Sequence, residues 1–242
     1  MAEPENDHTV TRLVDLADRM RRSWDARSDF HYVDTRQRTW ETDAFYASGR
    51  AEASMLLPPA FKRLGFDSAG KRILEIGCGP GRLFPGHAEH FSEVWGIDVS
   101  PEMVRLGEEL CPVEARFILG SGYDLREVED DSIDYCFSYL VFHHLPYEDV
   151  AWAYFKEILR VLRPGMCFQV QLLGRRSLRA RAARVLGSRV PGDARTWIGA
   201  TIPALRAERE VSALGFSRVL TYPISASAYW LVGARPMSGG SA

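Results

Sequence analysis

No stretch of this chain approaches the roughly 20 consecutive apolar residues that a membrane-spanning helix needs. Nor is one sign of charge in excess. The 242 residues carry 30 Lys and Arg against 32 Asp and Glu, a formal net charge of -2. A general nucleic-acid binder would carry a basic surplus, so that class is set aside. Cysteine is scarce: Cys78, Cys111, Cys136 and Cys167 are the four, and none forms a Cys-x-x-Cys pair. That excludes the usual zinc and disulfide frameworks. The first ten residues, MAEPENDHTV, are polar and acidic and do not read as a secretory leader. These absences predict a cytoplasmic, reducing-compartment protein. What remains is ordinary globular material, 46% apolar and 26% charged. A chain of this length makes one large domain, or one domain with an appendage.

The order of apolar patterns is informative. Val10, Leu13, Val14, Ala17, Met20 and Trp24 recur at helical steps, predicting an amphipathic helix over Thr9–Arg27. An irregular aromatic segment follows from Asp29 to Ser48. A second helix is expected from Gly49 to Leu64, broken or bent at Pro58-Pro59. From Lys71 onward, strands alternate with helices. Strands are predicted at Arg72–Ile76, Val94–Asp98, Ala115–Leu119, Ile133–Tyr139 and Met166–Leu173. Helices are predicted at Arg82–His90, Pro101–Leu110 and Tyr147–Leu162, the last closed by Pro164-Gly165. This alternation indicates a parallel sheet covered on both faces. After a helix ending at Leu214, Ser217–Tyr222 and Ala228–Arg235 are separated by a loop too short for a crossover, so they form a hairpin. The expected fold is a doubly wound, Rossmann-like α/β sheet of seven strands with one antiparallel strand. Residues 1–64 would form a helical lid and residues 65–242 the core, with an insertion at 174–205.

The stretch ILEIGCGPGRL at 73–83 runs a buried strand into a glycine turn and a helix. Gly77, Gly79 and Gly81 permit positive φ and close approach of a ligand. Asp98 lies 21 residues after Gly77, at the tip of the second strand, where a carboxylate meets a ribose. A dinucleotide fingerprint, GxGxxG, would place its third glycine at Arg82. Here the pattern is GxGxG, and Pro80 removes a main-chain N–H that an anion would use. The loop therefore suits a nucleoside without phosphates.

Four further motifs follow that loop in order: GIDVSPEMV at 96–104, FILGSGYDL at 117–125, DYCFSYLVFHHLP at 134–146 and VLRPGMCFQVQL at 161–172. Together with the terminal hairpin, the set closely resembles the class I S-adenosylmethionine-dependent methyltransferases. The resemblance covers about residues 70–175. It implies S-adenosyl-L-methionine as cofactor and S-adenosyl-L-homocysteine as product. It further implies that the loop of Gly77, Cys78, Gly79, Gly81 and Arg82 faces the methionine part of the cofactor. Glu75 would meet its amino group, Asp98 the ribose hydroxyls, and Val99 and Met103 the two faces of adenine. Ser121 and Gly122 stand where that family commonly has Asp then Ala, so the adenine-amine contact passes to Tyr123 or Asp124. Tyr139 would border the transferred methyl. The stretch WETDAFYASGR at 40–50 resembles an element preceding the core in that family, which adds Tyr46, Ser48 and Arg50 as cofactor contacts.

Methyl transfer from a sulfonium asks a protein chiefly for alignment and exclusion of water. A phenol or ammonium acceptor must also lose a proton, a task suited to histidine. His143 and His144, after the fourth strand, are the candidates, with His144 favoured and His31 weaker; the alternative is that they only pack a loop. The ends of strands four and five carry no cluster of carboxylates, so no catalytic metal is expected. Arg175–Thr201 holds six arginines between 175 and 189. It reads either as a basic lid for an acidic acceptor or as a solvated helix face, with Trp197 and Ile198 as pocket candidates. The expected activity is O- or N-methylation of a small, secondary-metabolite type acceptor by a monomer or homodimer, without nucleic-acid or membrane partners. C-methylation, a non-methylating rearrangement on the same scaffold and a noncatalytic subunit are the alternatives.

Overall fold

The structure, a computed structural model, describes residues 18, 21–22, 30–34, 36–145, 147–174 and 199–237. The helix expected over Thr9–Arg27 and the arginine-rich stretch with Trp197 and Ile198 fall almost wholly outside the described residues, as does the side chain of His31. Among the described residues, no helix is long and apolar enough to cross a membrane.

Seven strands form one sheet: β1 (Arg72–Ile76), β2 (Glu93–Asp98), β3 (Arg116–Leu119), β4 (Ile133–Ser138), β5 (Leu162–Leu173), β6 (Ser217–Pro223) and β7 (Ala228–Ala234). Their order is β3-β2-β1-β4-β5-β7-β6. β1 and β2, β2 and β3, and β4 and β5 pair in parallel, while β7 runs antiparallel to both β5 and β6. The reversed strand is thus the one expected from the terminal hairpin. β4 and β7 are buried at every position, as a sheet covered on both faces requires, whereas β3 and β6 are partly exposed. Helices are α1 (Phe30–Val33), α2 (Thr42–Leu64), α3 (Phe84–His87), α4 (Pro101–Leu110), α5 (Glu148–Val161) and α6 (Ala204–Ala213). A 3-10 turn covers Phe142–His144.

The chain divides into two compact units. The first comprises residues up to Phe61 together with Asp67–Glu129. Its N-terminal aromatics form a packed cluster. Phe30 stacks on Phe45 with ring centroids 4.0 Å apart, and Trp40 meets Phe45 edge-on at 5.9 Å. The Trp40 indole donates to the Asp34 carbonyl at 2.8 Å. The helix expected from Gly49 starts earlier, at Thr42, and runs unbroken through Pro58 and Pro59. Burial of Leu57, Ala60 and Leu64 on one face holds it where the prolines remove hydrogen bonds. Conversely, the helix expected over Arg82–His90 shrinks to four residues, because Pro85 and Gly86 are poor helix formers. α4 begins as expected: the Ser100 side chain accepts from the Met103 N–H at 3.2 Å, with Pro101 in the first turn.

The second unit comprises Lys62–Phe66 and Asp130–Ala242. A relay of rings packs its centre: Phe142 on Phe155 at 5.6 Å, Phe155 on Phe168 at 5.7 Å and Phe168 on Phe216 at 4.8 Å. Here Pro164-Gly165 is not a turn before a strand. β5 starts at Leu162 and passes through both residues, with a register shift opposite Ile133 and Tyr135. The Arg235 guanidinium donates to the carbonyls of Leu159, Arg160 and Leu162, satisfying the end of α5 without a glycine cap.

Candidate functional site

The first unit builds its site where β1 and β2 end. Gly77, Gly79 and Gly81 take φ of 73°, 53° and 77°, a conformation that L side chains rarely adopt. The loop's N–H groups are already committed within the chain. Those of Gly77 and Cys78 donate to the Ile97 carbonyl at 2.8 and 3.2 Å. That of Gly79 donates to Asp98 Oδ2 at 2.8 Å, and that of Gly81 to the Cys78 carbonyl at 3.0 Å. Pro80 has none to offer. The turn is therefore not a cradle for a pyrophosphate, which binds through inward-pointing main-chain N–H groups.

Two carboxylates accompany the turn instead. Asp98 accepts from Gly79 and, through Oδ1, from the Ser100 N–H at 2.9 Å. Burial pushes its carboxyl up, the N–H groups of Ser100, Gly79 and Val99 oppose that shift, and the charge of Glu75 adds to it. Glu75 is buried on β1, and its Oε2 lies 2.9 Å from Nε2 of the buried His87. Burial and the neighbouring Asp98 and Glu75 push the Cys78 thiol well above its usual range, so it stays protonated and unreactive. Met103 is buried on α4. Two clustered carboxyl groups, with no main-chain donors of the loop to spare, suit a cationic nucleoside and disfavour an anionic one.

The residues expected on the loop's flank divide. The Tyr46 hydroxyl donates to the Pro80 carbonyl at 2.9 Å, tying α2 directly to the turn. Val33 of α1 also reaches the turn, since a Cβ placed on Gly79 would lie 3.6 Å from it. Arg82 turns away from the turn toward the N-terminal helices. Its guanidinium pairs with Glu52 at 2.6 Å, reaches Ser48 Oγ at 3.4 Å and lies 3.6 Å from Asp34. Arg50 is exposed and pairs with Glu89 through Nε at 2.5 Å, on the surface rather than in the turn. At the β3 end, Ser121 Oγ donates to Asp124 Oδ1 at 2.6 Å, and Arg126 holds both Asp124 oxygens and the Tyr123 hydroxyl. Gly122 takes φ of 89° within that turn. Asp34, Glu52 and His87 carry no motif signal. A histidine six residues past Gly81 reads as part of a helix face, and only the tertiary approach shows what it touches.

Tyr139, His143 and His144 lie in the second unit, just after β4. Tyr139 stacks on Trp230 at 5.6 Å. Leu140 takes φ of 61°, and its N–H donates to Gln171 Oε1 at 2.8 Å. A non-glycine residue in that region stores backbone strain, a common feature of functional turns. The two histidine rings are 4.0 Å apart. Burial, and then the neighbouring His144, pushes the His143 imidazole down to about 3, so it remains neutral at physiological pH. His144 is only half-buried. Among the described residues, no group of three or more His, Cys, Asp and Glu side chains is placed to hold a metal.

Comparison with known proteins relates the chain to methyltransferases. Residues 74–168 match the family model described as a methyltransferase domain. An uncharacterized methyltransferase of Mycobacterium avium (strain 104) is 31% identical over 127 residues, which cover 52% of this chain and 49% of that protein. The chain thus spans about half the length of the curated relatives it matches. Among solved structures, magnesium protoporphyrin IX methyltransferase from Synechocystis PCC 6803, with S-adenosylhomocysteine bound, is similar with a TM-score of 0.65 and 16% identity. That match covers 91% of this chain and 99% of that one. The cyclase SpnF is similar with a TM-score of 0.57 and 18% identity, over 78% of this chain and 82% of that one.

Proposed function

We propose that the chain is a class I S-adenosylmethionine-dependent methyltransferase that transfers a methyl group from S-adenosyl-L-methionine to an oxygen or nitrogen of a small-molecule acceptor, a reading supported by the methyltransferase-domain match over residues 74–168 and by the methyltransferase relatives. One observation carries the cofactor reading: every N–H of the Gly77–Gly81 loop is spent internally, while Glu75 and Asp98 bring two carboxylates beside it. A dinucleotide would meet repulsion there. A zwitterionic sulfonium nucleoside fits.

In this reading Asp98 accepts hydrogen bonds from the ribose hydroxyls, and Glu75 holds the amino group. Val99 and Met103 flank the adenine, and the Ser121–Tyr123 turn meets its edge. When bound, the cofactor supplies a methyl carbon already activated by positive sulfur. The protein's part is to orient that carbon and keep water away, which contributes several kcal/mol to rate. Tyr46 and Val33 close the loop from the N-terminal side. His144, not His143, is the acceptor's base: an imidazole held at about 3 is too weak to take a phenol or ammonium proton near neutral pH. His143 instead supports the turn by its burial.

Titration calorimetry with S-adenosylhomocysteine tests the cofactor assignment. A charge-assisted hydrogen bond is worth roughly 1.5–3 kcal/mol, so Asp98→Ala lowers affinity at least tenfold; unchanged affinity refutes the ribose assignment. A screen of small acceptors, read by S-adenosylhomocysteine release and product mass, tests the chemistry. A product heavier by one methyl supports transfer. An isomer of unchanged mass would place the chain with cyclases of this fold, such as SpnF.

A further inference from the structure

Glu75, on the strand that runs into the glycine loop, is paired in the interior with a histidine that the proposed function leaves without a role. Glu75 is 4% exposed and His87 is 0% exposed. Glu75 Oε2 and His87 Nε2 are 2.9 Å apart, a hydrogen-bond contact in which the Nε2–H tautomer of the imidazole is the donor to a carboxylate. The imidazole is anchored by its own backbone. The His87 N–H donates to the Leu83 carbonyl at 3.0 Å, and the His87 carbonyl accepts from the N–H groups of His90 at 3.0 Å and Phe91 at 2.9 Å. The ring also packs against Phe84 at 6.2 Å. A rigid turn therefore presents a fixed donor to the carboxylate.

We infer that His87 is the positioning residue for cofactor capture: it holds the Glu75 carboxylate in the plane that receives the cofactor's ammonium group. The inference rests on the cofactor reading above and adds a residue that touches no ligand. A glutamate side chain has three rotatable bonds, and in a buried site an unheld carboxylate either swings away or takes up a proton. One hydrogen-bond partner on Oε2 removes that freedom and keeps the carboxylate aimed where a cation would sit. The arrangement parallels the way an outer hydrogen bond fixes a ligating group at a metal site.

The decisive experiment compares two ligands by calorimetry: S-adenosylhomocysteine, and its analogue with hydrogen in place of the α-amino group. His87→Leu is expected to weaken the first about tenfold or more and the second less than twofold. His87→Gln, which keeps a donor, should restore most of the loss. In a Glu75→Gln background, His87→Leu should have little further effect. Equal weakening of both ligands would show a merely structural role and overturn the inference, and so would no weakening of either. Should His87→Leu fail to fold, His87→Asn makes the same comparison, because its amide is too short to reach Oε2. Wild-type protein that binds neither ligand overturns the cofactor reading, and this inference with it. Wild-type protein that binds both ligands equally overturns the ammonium contact, and this inference with it, while leaving the cofactor reading intact.

Discussion

Replacing Gly49 with alanine should damage this protein, although helix propensity argues the reverse. Gly49 lies inside α2, where Gly→Ala normally stabilises by about 1 kcal/mol. A Cβ built there would stand 1.9 Å from the Arg82 carbonyl oxygen and 2.5 Å from its carbon. Main-chain atoms cannot swing aside as a side-chain tip can. To reach ordinary contact the carbonyl must retreat by more than about 1 Å, and overpacking of this kind costs typically 1–3 kcal/mol, occasionally more. Arg82 directly follows Gly81, and Tyr46 on the same helix is bonded to Pro80, so the retreat is transmitted to the loop. Against the propensity gain, the expected net loss is up to about 2 kcal/mol, or a fall of up to about 8 °C in Tm for a chain of this size. S-adenosylhomocysteine affinity should fall severalfold in parallel. Thermal unfolding and calorimetry on the same preparation measure both quantities. A Gly49→Ala protein melting at or above the wild-type temperature, with unchanged affinity, would refute the claim that α2 braces the loop.

The pairing of Arg82 with Glu52 is largely buried, so Glu52→Ala should cost more than an exposed pair, about 2–4 kcal/mol by denaturant unfolding. A cost under about 0.5 kcal/mol would place it with surface pairs. His143 takes up a proton in the unfolded chain near 6.5 but in the folded chain only at about 3. Stability should therefore decline as pH falls between those values, by up to about 1.4 kcal/mol per unit for this one group. His143→Asn should flatten that part of the pH profile, and an identical slope would contradict the burial argument. Because the Asp98 carboxyl is raised above 3.8, S-adenosylhomocysteine affinity should begin to drop on acidification at a pH above that value. Asp98→Asn should bind weakly with no such drop, and a wild-type profile flat through the acid range would count against the assignment. Finally, His144→Ala should lower turnover at saturating acceptor without altering S-adenosylhomocysteine affinity; full turnover would remove it as base.

By itself the sequence determined the sheet, and it marked out the candidate cofactor loop, because both are written in local patterns. Buried strands announce themselves as short apolar runs, the glycine turn as GxGxG, and the reversed strand as a hairpin too short for a crossover. The Ser100-Pro101 helix start is equally local. Boundaries failed where distant contacts compete with propensity. α2 survives two prolines because its face is buried, α3 collapses to one turn, and β5 runs through Pro164-Gly165 while Arg235, more than sixty residues later, caps α5. The same reason separates the site residues that spacing identified from those it missed. Gly77, Gly79, Gly81 and Asp98 are recognisable because a single turn and one strand tip need them. The pairing of Arg82 with Glu52, of Arg50 with Glu89 and of Glu75 with His87 joins separate segments of the chain. Side-chain partners across such distances are chosen by packing geometry, which only the tertiary structure supplies.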